Sequence, residues 1–191
     1  LHLCDHNLES IQTNNYNSGN AKHKLLAEVC MAAYYEGDLI KTHYTPYQEK
    51  YKDTGSGFTL CTMLARSFAD IGDIVRGKDL FLGNSVESAQ RKVLDENLKK
   101  IFKQIHEKLD SEAQKRYNGD ESGNFYQLRE DWWTANRHTV WEAITCNAQG
   151  NTYFRHTCNG GKSSTPNKCR CSDKPNTDPP TYFDYVPQYL R

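Results

Sequence analysis

Leu60-Cys61-Thr62-Met63-Leu64-Ala65-Arg66-Ser67-Phe68-Ala69-Asp70-Ile71-Gly72-Asp73-Ile74-Val75 carries its apolar residues at a helical period. Leu60, Leu64, Phe68, Ile71 and Val75 recur at i, i+4, i+8, i+11 and i+15, which lines them up on one face of a helix running from about Thr59 to Val75. Beside them lie Ala65, Ala69 and Gly72. A helical glycine costs about 1 kcal/mol relative to alanine, and the spacing predicts that another backbone comes close there. Arg66, Asp70 and Asp73 occupy the opposite side, with Arg66 and Asp70 spaced for an i,i+4 pair. Arg76-Gly77 ends the element.

Working upstream, residues 1–21 read as a polar, Asn-rich lead-in, and a helical period starts at Lys22. Leu25, Val29, Ala32 and Ala33 share its inner face, Pro46 bounds it, and a loop follows that ends in Gly55-Ser56-Gly57. Downstream, Asn84 with Glu87 predicts a capped long helix whose core stripe is Leu94, Leu98, Ile101, Ile105 and Leu109. A short turn or helix from Ser111 to Tyr117 precedes the breaker Asn118-Gly119. From about Asn124 to Cys146 the next helix has no clean polar face. Leu128, Trp132, Ala135 and Ala143 share one side, while Trp133, Val140 and Ile144 share another, the pattern of a buried central helix. After Asn147 the helical period vanishes until Pro180, and residues 185–191 read as the first turn of a further helix. No internal repeat and no strand-length alternation is present. The predicted fold is an all-α, disulfide-braced helical bundle of about four principal helices with long irregular loops.

Composition fits an ordered domain joined by polar loops. Only 37% of the 191 residues are hydrophobic and the mean hydropathy is −0.85, but 12 Tyr, 7 Phe and 3 Trp concentrate the apolar area in large rings. The length fits one domain, 1–191. Basic and acidic residues balance at 24 each, so no global field steers nucleic acid. No run of about 18 apolar residues is present, so the chain is not itself membrane-spanning.

Seven cysteines, Cys4, Cys30, Cys61, Cys146, Cys158, Cys169 and Cys171, point to an oxidising, extracellular setting with up to three bridges and one unpaired thiol. The odd count and the opening at Leu1, without a Met, are expected of an excised ectodomain piece. A zinc site is disfavoured because Cys169-x-Cys171 lacks the usual Cys-x₂₋₄-Cys spacing. Two cysteines so close can scarcely bridge each other, so each is expected to reach a different partner.

Motifs that carry chemistry are nearly absent. There is no P-loop, dinucleotide-binding glycine pattern, nucleophile elbow or HExxH. Glu130 and Asp131 beside Trp132-Trp133 point about 100° apart on a helix and do not converge as a glycosidase pair would require. We expect no enzyme, no cofactor and no metal, with the terminal His2, Cys4 and His6 lacking a fourth ligand. One positive signal is a basic loop within 147–180. Between Asn147 and Ser172 stand Arg155, Lys162, Lys168 and Arg170 and no acidic residue. Such a loop, held by disulfides, suits charge-assisted bonds to the sulfate or carboxylate of a glycan. Lys92, Lys99 and Lys103 form a second stripe, diluted by Glu96 and Glu107.

Three longer motifs carry a resemblance. Leu64-Ala65-Arg66-Ser67-Phe68-Ala69-Asp70-Ile71-Gly72-Asp73-Ile74-Val75-Arg76-Gly77-Lys78-Asp79-Leu80-Phe81 is the first. Arg129-Glu130-Asp131-Trp132-Trp133-Thr134-Ala135-Asn136-Arg137, with Val140-Trp141 and Ala143-Ile144-Thr145-Cys146, is the second. Asp184-Tyr185-Val186-Pro187-Gln188-Tyr189-Leu190-Arg191 is the third, and Leu1-His2-Leu3-Cys4 and Tyr35-Glu36-Gly37-Asp38-Leu39-Ile40 agree with them. Over essentially the whole chain the sequence resembles a Duffy-binding-like domain, alpha class, of Plasmodium falciparum erythrocyte membrane protein 1. The resemblance implies the middle helical subdomain of an adhesion domain on the infected red-cell surface, with no catalysis. It implies as partners a host red-cell glycan (heparan sulfate-like or a blood-group sugar) or receptor in rosetting, antibodies, and the remaining Duffy-binding-like subdomains. The alternative it leaves is a structural, antibody-exposed subdomain whose receptor contact lies elsewhere. The matching motifs are packing helices, so none of their residues is carried over as a binding residue.

Overall fold

The computed structural model describes residues 8, 11, 13, 16, 19–50, 59–80, 85–117, 123–153 and 155–191. His2, Cys4, His6, Gly55-Ser56-Gly57, Phe81, Asn84 and Asn118-Gly119, all read from sequence, lie outside the described residues. The elements are α1 (Ala21–Lys50), α2 (Leu60–Arg76), α3 (Ser85–His106), α4 (Ser111–Tyr117) and α5 (Tyr126–Ile144), then two 3₁₀ turns at Phe183–Tyr185 and Gln188–Leu190. Among the described residues there is no strand, only isolated bridges between Cys158 and Ser163 and between Asn167 and Arg170. The all-α, disulfide-braced fold expected from the sequence is what the chain forms.

α2 begins where Thr59, in an extended conformation, turns its hydroxyl to the backbone N–H of Thr62 at 3.3 Å. It ends where Gly77 takes the left-handed conformation at φ 71°, with Lys78 N–H donating to Asp73 O at 2.8 Å and Gly77 N–H to Ile74 O at 3.1 Å. Those paired bonds form a Schellman cap, which a Cβ-free residue adopts without strain. Leu60, Leu64, Phe68, Ile71 and Val75 are all buried, as the period required.

α1 and α2 pack on α5, which lies at the centre of the bundle, and α3 closes it through Leu94, Leu98, Ile101 and Phe102. Four expectations change. Pro46 does not bound α1, which runs on to Lys50; a proline removes one backbone donor, and the residues after it keep theirs. The close approach at Gly72 is made by a side chain, not a backbone: a Cβ there would sit 2.7 Å from Cζ2 of Trp133. The true backbone approach is at Gly37, where a Cβ would lie 2.1 Å from the carbonyl oxygen of Ile144. Finally, Asp73 is not on a polar outer face but buried, and in place of an α-helical start over 185–191 the chain makes two short 3₁₀ turns, Phe183–Tyr185 and Gln188–Leu190.

Candidate adhesion surface

The helices form the frame on which any surface is mounted, and arginines hold that frame from within. Arg137 on α5 donates to both oxygens of Asp184, at 2.8 Å each, and to Thr181 O at 2.8 Å. The Trp133 indole N–H donates to Asp184 Oδ2 at 2.9 Å, so one buried carboxylate gathers three donors. Arg76 donates to the Asp184 carbonyl, to Gly72 O at 3.0 Å, to Asp73 at 2.9 Å and to Glu130 at 3.2 Å. Arg129 closes the other end of α2, donating to Val75 O at 2.6 Å and Ile74 O at 3.0 Å, and pairing with Asp95 of α3 at 2.9 Å. The carbonyls it meets are those a helix C-terminus leaves without intrahelical partners. Arg137 also lies over the rings of Phe68, Tyr182 and Tyr185. Segment 181–191 is thereby tied to α2 and α5, and Arg191 pairs with Asp70 at 3.4 Å and with Asp73.

The carboxyls of this frame feel their surroundings unequally. Burial pushes Asp70 up to about 6, against the pull of the Arg191 charge. Asp73 is raised too, because burial outweighs Arg191 and Arg76. Asp95 is likewise pressed upward by burial, but the bonds and charges of Lys99 and Arg129 win and hold it below the usual carboxylate range.

Onto this frame two disulfides fasten the loop that follows α5. Cys61–Cys169 ties the loop to the start of α2, and Cys158–Cys171 closes the loop on itself. Cys169 and Cys171 thus reach different partners, as their spacing required. The Trp141 indole N–H donates to Cys169 O at 3.2 Å, and Tyr153 N–H donates to Thr165 Oγ1 at 2.7 Å, so the loop is anchored on both sides of the bridge. Cys30 and Cys146 are free thiols; burial, with Glu142 nearby, pushes Cys30 up to about 11. The bridges among the described residues number two, within the upper limit of three set by seven cysteines, and Cys4 lies outside the described residues.

The four basic residues of the loop, Arg155, Lys162, Lys168 and Arg170, do not act as one cluster but divide. Arg155 and Lys162 are exposed and Lys168 is half-buried. Arg155 and Lys168 each stand three positions before a cysteine of the 158–171 bridge, and Lys162 N–H bonds to Cys158 O at 3.0 Å. A single covalent bridge therefore holds all three basic positions in one loop layer. Arg170 does a different task. Its guanidinium donates to Thr145 Oγ1 at 2.6 Å and to Glu142 O, and its side chain is only 11% exposed. It clamps the loop to the C-terminal end of α5. On α3, Lys92 and Lys103 are exposed, whereas Lys99 is paired with Asp95 at 3.0 Å and Glu96 at 3.2 Å. That stripe is two outward lysines around a neutralised third.

Sequence reasoning missed the interior arginines. A signal existed: Arg129, Trp133, Arg137 and Trp141 recur at i, i+4, i+8 and i+12 on a helix already assigned to the centre. Charges on a central helix need partners, but Asp184 lies 47 positions from Arg137, and no periodicity could name it. No cluster of three or more His, Cys, Asp or Glu capable of holding a metal is found among the described residues.

The Duffy binding domain family model matches residues 1–191, the entire chain. The chain belongs to the Duffy binding domain family. Curated proteins offered no match. Among solved structures, the NTS-DBL1α domain of Plasmodium falciparum membrane protein 1 (PfEMP1) from the varO strain is 43% identical with a TM-score of 0.73, covering 99% of this chain and 40% of that one. A PfEMP1 DBLβ domain bound to human ICAM-1 is 29% identical with a TM-score of 0.67, covering 99% and 36%. The ICAM-1-binding DBLβ domain of IT4var13 is 30% identical with a TM-score of 0.66, covering 99% and 39%. The chain therefore spans well under half the length of the solved domains it matches. Domains of the family are adhesion modules, not enzymes. No described helix of this member is long and apolar enough to cross a membrane.

Proposed function

We propose that this chain is the middle subdomain of a Duffy-binding-like adhesion domain displayed on the infected red-cell surface. Its disulfide-held basic loop contacts sulfated or sialylated glycan, or a blood-group sugar, on host red cells. The observation that carries this reading is the division of basic residues. Arg155 and Lys162 face solvent on a covalently fastened loop, Lys168 stands beside them half-buried, and no carboxylate interrupts 147–172. A fixed loop loses little conformational freedom on binding. Arg170 belongs to the loop's attachment, and Lys92 and Lys103 on α3 form a secondary surface.

The test is retention of the Duffy-binding-like domain containing this chain on immobilised heparin, at low and near-physiological salt. Retention should fall as salt rises. The triple variant Arg155→Ala, Lys162→Ala and Lys168→Ala should bind about tenfold more weakly with its helical signal intact, as the loss of three solvent-accessible ion pairs at a few tenths of a kcal/mol each implies. Equal retention of parent and variant removes the loop as the site.

A second reading has its own support. This chain covers 36% of the DBLβ domain that was solved bound to ICAM-1, so a receptor contact can lie wholly outside it. The subdomain would then be a scaffold and an antibody-exposed surface. Heparin retention that is absent or indifferent to the triple variant favours that reading.

A further inference from the structure

The loop closed by Cys158–Cys171 carries two asparagines, and the fold treats their side chains differently. Both are exposed. Asn167 is tied down: its side-chain oxygen accepts from the backbone N–H of Gly150 and from that of its own successor, Lys168, each at 2.8 Å. Asn159 is open at the same points. Its amide nitrogen donates to Ser163 Oγ at 2.8 Å, but among the described residues nothing donates to its side-chain oxygen, and the N–H of Gly160 meets no acceptor.

The turn around Asn159 keeps it that way. Asn159, Gly160 and Gly161 all take positive φ, at 53°, 68° and 85°. Asparagine is among the few residues with a side chain that sit there readily, and glycine does so without steric cost. Cys158 O accepts from the N–H groups of Gly161, Lys162 and Ser163 at 3.1, 3.0 and 3.1 Å, which leaves the Gly160 N–H out of the bonded set. A Cβ on Gly160 would meet no heavy atom within 4 Å, so the space around it is open to water.

These are the requirements of a reaction that needs no enzyme. The backbone nitrogen of Gly160 attacks Cγ of Asn159 and closes a cyclic imide. The Cγ–Nδ2 bond breaks, and the amide nitrogen departs as ammonia with the proton of the Gly160 N–H. Water then adds to the imide at either of its carbonyls, leaving an aspartyl or an isoaspartyl residue. Water is consumed, ammonia is released and nothing is oxidised or reduced.

We propose that Asn159 is a spontaneous deamidation site, whose conversion places a carboxylate between Arg155 and Lys162 in a loop that has no acidic residue from 147 to 172. The isoaspartyl form also adds a main-chain carbon inside the bridge-closed loop. The proposal rests on the geometry of the loop and not on its glycan contact.

The Duffy-binding-like domain containing this chain is aged at mildly alkaline pH with its disulfides intact, then reduced, digested with trypsin and followed by peptide mass spectrometry. Asn159 and Asn167 leave on different peptides, 156–162 and 163–168, and the other Asn-Gly pair, Asn118-Gly119, on a third. Asn159 should convert about tenfold faster than Asn167 or more, a difference of about 1.4 kcal/mol in barrier. Equal rates, or conversion of Asn159 only in guanidinium, overturn the proposal. Asn159→Gln, which must close a larger ring, should gain no acid at this position; conversion at the parent rate would overturn attack by Gly160 as the route. On heparin, the aged parent should yield a fraction that elutes at lower salt, while aged Asn159→Gln elutes unchanged. Conversion without that shift removes the glycan contact of the loop and leaves the deamidation site standing, so the two readings fail separately.

Discussion

Two regions of this molecule are rich in basic residues, and they use them in opposite ways. In the frame made by α2, α5 and residues 181–191, Arg76, Arg129 and Arg137 are buried and bonded to Asp184, Asp73, Asp95 and helix-end carbonyls. In the loop layer, Arg155 and Lys162 are exposed on a backbone fixed by sulfur. Residue type is nearly the same and the role is not. What separates the regions is the supply of acceptors: the frame brings carboxylates from distant parts of the chain, whereas 147–172 contains none. Where a guanidinium meets acceptors inside the protein it becomes mortar, as Arg170 shows within the loop itself. Where the side chain stays at the surface, as with Arg155 and Lys162, its charge remains in reach of solvent and of anything that approaches from it.

Removing the carboxylate at the centre of the frame breaks this contrast most severely. Asp184→Ala leaves Arg137 and the Trp133 N–H buried without their acceptor, and breaking one side of a buried ion pair costs about 3–5 kcal/mol. Chemical denaturation should show that loss. A change below about 1 kcal/mol would place the strength of the frame in its apolar packing, since exposed pairs are worth no more than that.

Severing the loop's own bridge sharpens the comparison from the other side. Cys158 and Cys171 are 13 positions apart, and a loop of that size contributes about 3 kcal/mol in the chain-entropy picture. Cys158→Ser with Cys171→Ser should therefore lower the denaturation midpoint while the far-ultraviolet helical signal stays, because the helices do not depend on the loop for their hydrogen bonds. Loss of helix in that variant would mean that frame and loop fold as one unit.

The smallest effect is a pH dependence within the frame. Asp70 is raised to about 6 by burial, and its unfolded value is about 3.9. Between those values the folded chain holds a proton that the unfolded chain has released, so stability from this group is complete below about pH 4 and is lost as pH rises through 6. Asp70→Asn should flatten the fall in stability between pH 4 and 7 relative to the parent, measured by urea unfolding at several pH values. Identical slopes would show that Asp70 remains in contact with water.

Much of the frame could be read from the chain. The stripe Leu60–Val75, the Gly77 stop, the burial of Leu128, Trp132, Trp133, Val140 and Ile144 on the central helix and the core line Leu94–Ile105 follow from period and local propensity, which depend on neighbours within one or two turns, whereas Ala135, read as part of a buried side, is exposed. Sequence placed the basic loop as well, since a run without acids is a property of composition. Only the structure showed that Arg170 is consumed by Thr145 and Glu142, because side-chain acceptors at a helix end have no signature at a distance. The same reason hid the partner of Gly37: which glycine meets a backbone depends on where two helices cross.

By itself, then, the sequence determined the helices, their inward faces, the disulfide-rich loop and the family whose motifs run through all 191 residues. Tertiary structure alone decided which cysteines join, which arginines are buried and which charges remain outside. Period and capping are short-range quantities that a chain carries with it. A pair such as Arg137 and Asp184 exists only after 47 positions of chain have been folded back, and the low-dielectric interior that makes it strong exists only then as well.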